Sequence, residues 1–337
     1  MKRKNNIYIS LSNPFTEIVA QIFWIIKNWR VAQRLSIGFS IILLQLVTSG
    51  FSLADPEPLK PARLKLGFYA HSATEVASLS DIEVSMNFWA KEFMTQGARE
   101  IGFEITDGGA VLFDTMVDMR NAVERGEIDM VIAPPILLVR YFKRHELQDG
   151  FAGVLAGKRS DSILVVTRRD KNIKNIGDLK GKHVLLPAND DFAEMYLDSL
   201  FLEHFHKPIQ KVAGSIDKQN KSSRIVLDIY FNKADVGVVY LNAFEVTSEL
   251  NPDIAQKLTI LEQYSIKSRS FSFFVRGYPF AKEMSSLADY KFKNSERSKQ
   301  ILEVFKTSEI DTCKISELEA FEKFYQRYQS LKKQYQP

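Results

Sequence analysis

Residues 122–135 read AVERGEIDMVIAPP. A helical stretch over Leu112–Arg125 is expected to stop at Gly126, where the chain turns back toward a strand and needs a positive φ. Ile128–Ala133 is then an apolar run ended by Pro134-Pro135, the pattern of a short strand buried on both faces of a parallel sheet. Reading outward, Arg63–Tyr69 (RLKLGFY) alternates with period two and predicts a strand. Ser80–Gln96 sets Ile82, Met86, Phe88–Trp89 and Phe93 at helical spacing behind Asp81, and Phe103–Thr106 predicts a second strand. The resulting order, β-α-β-α-β with helices long enough for crossovers, calls for a largely parallel sheet covered on both faces.

The same grammar then restarts. Strands are predicted at Ser162–Arg168, His183–Leu186, Asp235–Tyr240 (DVGVVY), Leu258–Glu262 and Phe271–Arg276, with helices at Asp191–His204 and Arg224–Asn232. From Ser295 the chain reads as mainly helical. It ends in Ile315–Gln334, whose Leu318, Phe321, Phe324, Tyr325 and Tyr328 fall on or near one face and suit docking onto the body. These patterns predict two α/β lobes with mixed, mainly parallel sheets and a helical C-terminal tail. Residues 63–157 form lobe 1, residues 158–267 lobe 2, and residues 268–337 the return to lobe 1 with the C-terminal helices.

The chain has 337 residues, 45% of them apolar, with one cysteine and five histidines. Such a composition excludes a disordered or collagenous chain. One cysteine, Cys313, cannot form an internal disulfide or a cysteine-rich zinc site. The net charge of +4 is unevenly placed. Residues 1–54 carry Lys2, Arg3, Lys4, Lys27, Arg30 and Arg34 against Glu17, a net +5, which leaves −1 for the rest. The body therefore lacks the basic footprint of a nucleic-acid binder. The first 54 residues read as a secretory signal: a positive flank ends at Arg34, an apolar centre spans Ile37–Val47, and Ser52-x-Ala54 fits small-x-small cleavage. An uncleaved anchor in the inner membrane is the alternative, because Leu35–Ala54 is uncharged throughout. Either way the body is expected to be exported to the periplasm. Residues 55–62, with Pro56, Pro58 and Pro61, form an extended linker.

Four segments carry a family likeness: Leu64-Lys-Leu-Gly67-Phe-Tyr69; Ala122–Ile132 with Gly126 and Asp129; Ile173-Lys-Asn-Ile-Gly-Asp178-Leu-Lys-Gly181-Lys-His-Val; and Lys233-Ala-Asp235-Val-Gly-Val-Val-Tyr240. In these, over roughly residues 63–276, the sequence resembles the phosphonate-binding branch of the type II periplasmic solute-binding proteins of ABC transporters. The resemblance implies a two-lobed type II binding-protein fold that clamps a small solute in the cleft between lobes and closes by hinge bending. It also implies a membrane permease as partner, a monomer, and no cofactor. Asp129 and Asp235 open buried strands and read as acids that hold free amides there. Two places depart from the pattern. Where the family usually has a Ser/Thr-rich turn that holds the anion at a helix start, this chain has Asn189-Asp190-Asp191, and two carboxylates there repel a phosphonate. Leu138 likewise stands where the family's aromatic hydroxyl falls after Pro134-Pro135.

Loops at the carboxyl ends of the strands are the expected lining of the cleft. They offer Tyr69, Ser72 and Thr74 after the first strand, with His71 beside them, and Pro134 after the third. Asn189 and Asp190 lead the second-lobe helix, and Tyr240 and Asn242 follow DVGVVY. Each also has a plainer role: Ser72 and Thr74 as turn or cap, Asn189 and Asp190 as a helix cap, Tyr240 as a half-buried core ring. Arg269 and Ser270, near the return crossover, are further candidates. Chemistry is not expected. His204-x-His206 with Glu203 resembles metal-ligand spacing, but residues two apart on a helix face apart. Cys313 has no histidine near it in sequence, no G-x-S-x-G elbow occurs, and no P-loop or G-x-G-x-x-G is present. The alternative to transport is a ligand-sensing or scaffold protein that signals to a membrane partner, with solute binding altered or lost.

Overall fold

In Lys60–Tyr69 (β1) the side chains of Ala62, Leu64, Leu66 and Phe68 are buried on one face while Arg63 and Lys65 alternate with them. The computed structural model to which this strand belongs describes residues 58–73, 78–92, 97–155, 157–158, 160–304 and 307–335. The expected signal or anchor at 1–54, the start of the linker at 55–57, Thr74 with Glu75, and the end of the first predicted helix lie outside the described residues. β1 pairs in parallel with Phe103–Phe113 (β2) and with Met130–Ala133 (β3). β3 continues antiparallel to Phe271–Val275 (β10), which pairs with Leu147–Leu155 (β4), and β4 with Thr307–Cys313 (β11). The second sheet runs Ser215–Gln219 (β7), His183–Pro187 (β6), Val236–Tyr240 (β8), Asp161–Arg168 (β5) and Leu258–Ile266 (β9). The chain passes from the first sheet to the second between Leu155 and Asp161, and back between Ile266 and Phe271.

Both sheets are covered on two sides, as their apolar runs require. Along β3, Met130 and Ile132 face one core with Leu64, Leu66, Ile82, Met86 and Phe274. Val131 and Ala133 face another core with Phe271 and Phe273. Along β5, Leu164 and Val166 pack with Ile225, Ile229 and Val239. Ile163 and Val165 join the core that already holds Val131, so the inner faces of the two sheets share one apolar mass.

The helices start and stop for local reasons. Leu79–Glu92 (α1) buries Ile82, Met86 and Ala90, one per turn. Met116–Glu124 (α2) begins where Thr115 Oγ1 accepts the Asp118 amide at 3.1 Å, and its chain reverses at Gly126 with φ +71°. Pro135–Tyr141 (α3) starts with proline at its first position, where no amide is needed. Asp191–Phe205 (α4), Ser222–Tyr230 (α5) and Leu241–Leu250 (α6) cover the second sheet, and Ala281–Asn294 (α7), Glu296–Val304 (α8) and Glu319–Tyr335 (α9) complete the chain. Gly181, in the Asp178-Leu-Lys-Gly element, also takes a positive φ of +70°. Asp129 accepts both Arg63 (2.6 and 3.1 Å) and the Lys65 amide (2.8 Å), and Asp235 accepts the His183 amide at 3.0 Å. Both acids serve the backbone, as read from the sequence.

Several expectations change. The two-lobed α/β class holds, but among the described pairings four are parallel and five antiparallel. Next to the crossings, β10 and β5 run against the βαβ strands of their sheets, and β4 and β9, each antiparallel to one of these, run with them. β2 is longer than Phe103–Thr106 because pairing with β1 holds Asp107–Phe113 extended through two glycines. β7 and β11 are polar edge strands with no apolar run to announce them. α3 hides behind Pro134-Pro135, and α6 follows β8 directly.

The tail does more than return to lobe 1. In α9, Phe321 and Phe324 meet Phe192 of α4 edge-on at 5.5 and 5.0 Å, and the Tyr328 hydroxyl donates to buried Asp198 at 2.9 Å. Arg327 pairs with Glu203 at 2.7 Å. The same helix pairs Glu322 with Arg144, which precedes β4 of the first sheet. Helix α9 thus fastens to both sheets' layers.

Candidate functional site

The carboxyl ends of β1, β3, β6 and β8 converge on one cavity of about 60 Å³. Its wall includes His71 and Ser72 after β1, Pro134 and Pro135 after β3, Ala188–Phe192 after β6 and Tyr240 at the end of β8. Asn220 after β7, Ser268 and Arg269 on the crossover after β9, and Phe321 of α9 complete it. Buried water needs roughly 10–15 Å³ on this measure, so the cavity has room for about four or five non-hydrogen atoms, the size of a small anionic head group.

Asp190 organises the second-lobe side. Asn189 before it takes φ +55°, a left-handed conformation that asparagine tolerates. Asp190 Oδ1 then accepts the Ala193 amide at 2.9 Å and caps α4. Its Oδ2 accepts the Tyr240 hydroxyl at 2.7 Å, which ties the end of β8 to the start of α4. Asp191, in the first turn, lies 3.2 Å from Arg140 of α3. The two carboxylates that read as an obstacle to anions therefore each have a hydrogen-bond or ion-pair partner. The Arg269 guanidinium lies 3.9 Å from the centroid of the Tyr240 ring, a cation–π stack. On the first-lobe side, Ser72 sits in the short turn Ala70–Ala73, and its Oγ is buried without a hydrogen bond among the described residues.

Of the residues expected from the sequence, Ser72, Pro134, Asn189, Asp190 and Tyr240 line this cavity together, joined by His71 and the further candidate Arg269. Tyr69 stands outside the wall, edge-on to His71 at 5.4 Å, and burial, with the charge of Asp191 adding to it, pushes its phenol pKa up. Asn242 also stands outside the wall. Its amide points back to Asp161 Oδ1 at 3.4 Å, because α6 begins at once after β8 and carries residue 242 into its first turn. Thr74 lies outside the described residues. Asn220 and Ser268 were not singled out in the sequence, and Phe321 was expected only as a docking ring of the tail. Asn220 follows a strand too polar to recognise, and Phe321 belongs to a helix whose partner no local pattern names.

A second, shallower hollow lies by Arg63, Thr106, Asp129 and Tyr278. Its charges are spent inside the fold, since Arg63 and Asp129 bind each other and the Tyr278 hydroxyl donates to the Arg63 carbonyl at 2.7 Å. His206 caps α4 in a left-handed conformation and stacks on Tyr335 at 4.5 Å, while His204 lies edge-on to Phe205. Cys313 is buried at the end of β11. Among the described residues, no helix is long and apolar enough to cross a membrane.

Residues 100–313 match the family described as ABC transporter, phosphonate, periplasmic substrate-binding protein. No curated protein sequence matches the chain. Among solved structures, XAC2383 from Xanthomonas citri bound to ATP is 16% identical, with TM-score 0.57 over 81% of this chain and 99% of that one. PhnD1 from Prochlorococcus marinus in complex with methylphosphonate is 12% identical, with TM-score 0.54 over 80% and 98%. A binding-protein component of an ABC phosphonate transporter from Pseudomonas aeruginosa is 13% identical, with TM-score 0.53 over 80% and 87%. At these identities the likeness establishes the fold.

Proposed function

The chain belongs to the periplasmic phosphonate-binding family of ABC-transporter substrate-binding proteins, and on that premise we propose that it captures a small anionic solute of the phosphonate class in the cavity between its sheets. Proteins of this family are transport components that hand solutes to a membrane permease. Here capture is non-covalent, and the lobes close on the solute by bending at the two crossings. Ser72, Asn189, Asp190, Tyr240 and the Pro134 turn supply the wall, and Thr74 is a further proposed contact of the solute. The protein acts as a monomer in the periplasm, exported by residues 1–54, which are either cleaved after Ala54 or kept as a tether.

The observation that carries this reading is the convergence of four strand ends on one cavity of head-group size, with a Ser72 Oγ that has no hydrogen bond among the described residues. A second reading, a sensor or scaffold with solute binding lost, draws on the occupation of the α4 start by Asp190. Thermal unfolding of the exported protein, refolded to strip carried-over solute, separates the two. A ligand at 100 times its dissociation constant adds about 2.7 kcal/mol, or roughly 5 °C for a chain of this size. A shift with methylphosphonate or phosphate supports capture of a phosphonate-class anion. A shift with methylamine or divalent cations alone refutes the anion. No shift with any of them favours the scaffold.

A further inference from the structure

The charge of residues 55–337 nearly cancels, at −1, but it is unevenly spread. Residues 173–183 and 204–214 hold Lys174, Lys180, Lys182, Lys207 and Lys211 against one acid, Asp178. Backbone pairing fastens the two segments side by side. The Gly181 amide donates to the Val212 carbonyl and the Gly214 amide to the Lys182 carbonyl, both at 2.9 Å. The approach is so close that a Cβ on Gly177 would lie 2.7 Å from His204 Nε2. The end of α9 joins them where Tyr335 stacks on His206, and it brings Lys332 in its last turn.

Lys174, Lys180, Lys207 and Lys211 are exposed and Lys182 is half-buried. The acids around them are committed elsewhere. Asp178 accepts the Lys174 and Asn175 amides at 2.8 and 3.2 Å, and Glu203 pairs with Arg327. Asp217 pairs with His183 at 2.7 Å and Asp235 with Lys171 at 3.1 Å. Lys207 follows α4 and offsets the negative end of its dipole, but Lys174, Lys180 and Lys182 lie on no α-helix. The face adjoins the start of β6, whereas the solute cavity adjoins its end. Helix α4 runs 15 residues between the two, about 22 Å.

The make-up of this face selects its partner. No large apolar side chain of these segments is exposed, so the aromatic and aliphatic anchors of a specific protein interface are missing. Its cations are lysines, compact hydrated charges without the planar fork that grips a single carboxylate or phosphate. A cluster of such charges suits a continuous sheet of negative charge, as an anionic bilayer presents.

We propose that this lysine face docks the second lobe on anionic phospholipid at the surface of the membrane beside which a periplasmic protein works. The docking stands apart from solute capture, because face and cavity occupy opposite ends of α4. It holds the protein at the bilayer whether residues 1–54 are cleaved or kept.

Sedimentation with vesicles tests it on residues 55–337, a range that contains all three apolar cores and leaves out the stretch that could itself insert. Phosphatidylcholine vesicles with roughly one-third phosphatidylglycerol should carry the protein down, pure phosphatidylcholine should not, and about 0.5 M salt should release it. Each lysine near such a surface adds about five-fold, so K180Q/K211Q should bind about 30-fold more weakly. K174Q/K207Q, on the same face, carries the same expectation should K180Q/K211Q not fold. K180R/K211R keeps the charge and should stay within about three-fold of wild type. So should K60Q/K282Q, which removes two exposed lysines elsewhere. Equal binding to both kinds of vesicle, or binding to neither, overturns the proposal. So does a face variant within about three-fold of wild type, or an equal loss in K60Q/K282Q. Retention on polyglutamate without binding to vesicles overturns it in favour of an acidic protein partner.

Discussion

Replacing Tyr328 by Phe probes whether α9 is part of the folded body's cooperative core. The ring is 8% exposed and its hydroxyl donates to Asp198 Oδ2 at 2.9 Å; Asp198, 3% exposed, accepts the Ile209 amide through its other oxygen at 2.8 Å. Burial, reinforced by the Asp198 charge, pushes the Tyr328 phenol pKa up, so the hydroxyl stays a donor at neutral pH. Phenylalanine keeps the ring volume, so packing against α4 is retained and only the hydrogen bond is lost. That loss leaves one oxygen of a buried carboxylate without its donor, a cost of about 1.5–3 kcal/mol. With a urea slope of roughly 2–3 kcal/mol/M for a body of this size, the midpoint should fall by about 0.5–1.5 M with the slope unchanged. Because the apolar mass running from Val131 through Phe192 to Phe324 is continuous, one transition is expected. A loss below about 0.5 kcal/mol would refute the reasoning, since water would then be replacing the hydroxyl and the α9 contact would not be buried in solution. A second transition that appears only in the variant would mean that α9 detaches by itself.

Asp190→Ala removes the cap of α4 and the acceptor of the Tyr240 hydroxyl, and should lower stability by about 1–3 kcal/mol in a circular-dichroism melt; an unchanged melt would contradict the geometry at Asp190. Glu146, bonded by Arg120 at 2.7 and 2.8 Å, has its carboxyl pKa lowered to about 2 by that hydrogen bond. Its folded pKa lies below the ordinary value, so its stabilisation is complete above about pH 4.5 and fades as pH falls toward 2. Glu146→Gln should therefore be about 1–2 kcal/mol less stable than wild type at pH 7, allowing for partial exposure, with the gap closing by pH 2; a constant gap across that range would rule this out. A Cβ at Gly150 would fall 2.0 Å from the Ser272 carbonyl oxygen, where β4 meets β10 at a shift in register. Gly150→Ala should cost at least about 3 kcal/mol or abolish folding, and a soluble variant with a wild-type midpoint would show that this pairing is not as described.

Much of the body was legible one element at a time. The alternation in β1, the apolar runs of β3 and β8, the reversals at Gly126 and Gly181 and the cap at Asp190 are local matters. They concern a strand's two faces, a turn's dihedral angles or a helix's first amides. Most of the expected binding residues line the cavity for the same reason, because strand carboxyl ends can be located once strands are recognised. Tyr69 and Asn242 fall outside it because strand ends give the neighbourhood of a cleft and not the direction of each side chain.

What the sequence by itself determined is therefore the alternating grammar of strands and helices and the family likeness carried by four short segments. Only the tertiary structure decided the balance of parallel and antiparallel pairing, the attachment of α9 to both layers, Phe321 and Asn220 in the cavity wall, and Arg269 on the face of Tyr240. Periodicity records how one element meets its own surroundings. Polar edge strands such as β7 and β11 meet solvent on one side and so carry no apolar signature. A contact such as Arg269 on Tyr240 joins residues from separate elements whose approach depends on how the second sheet closes around them.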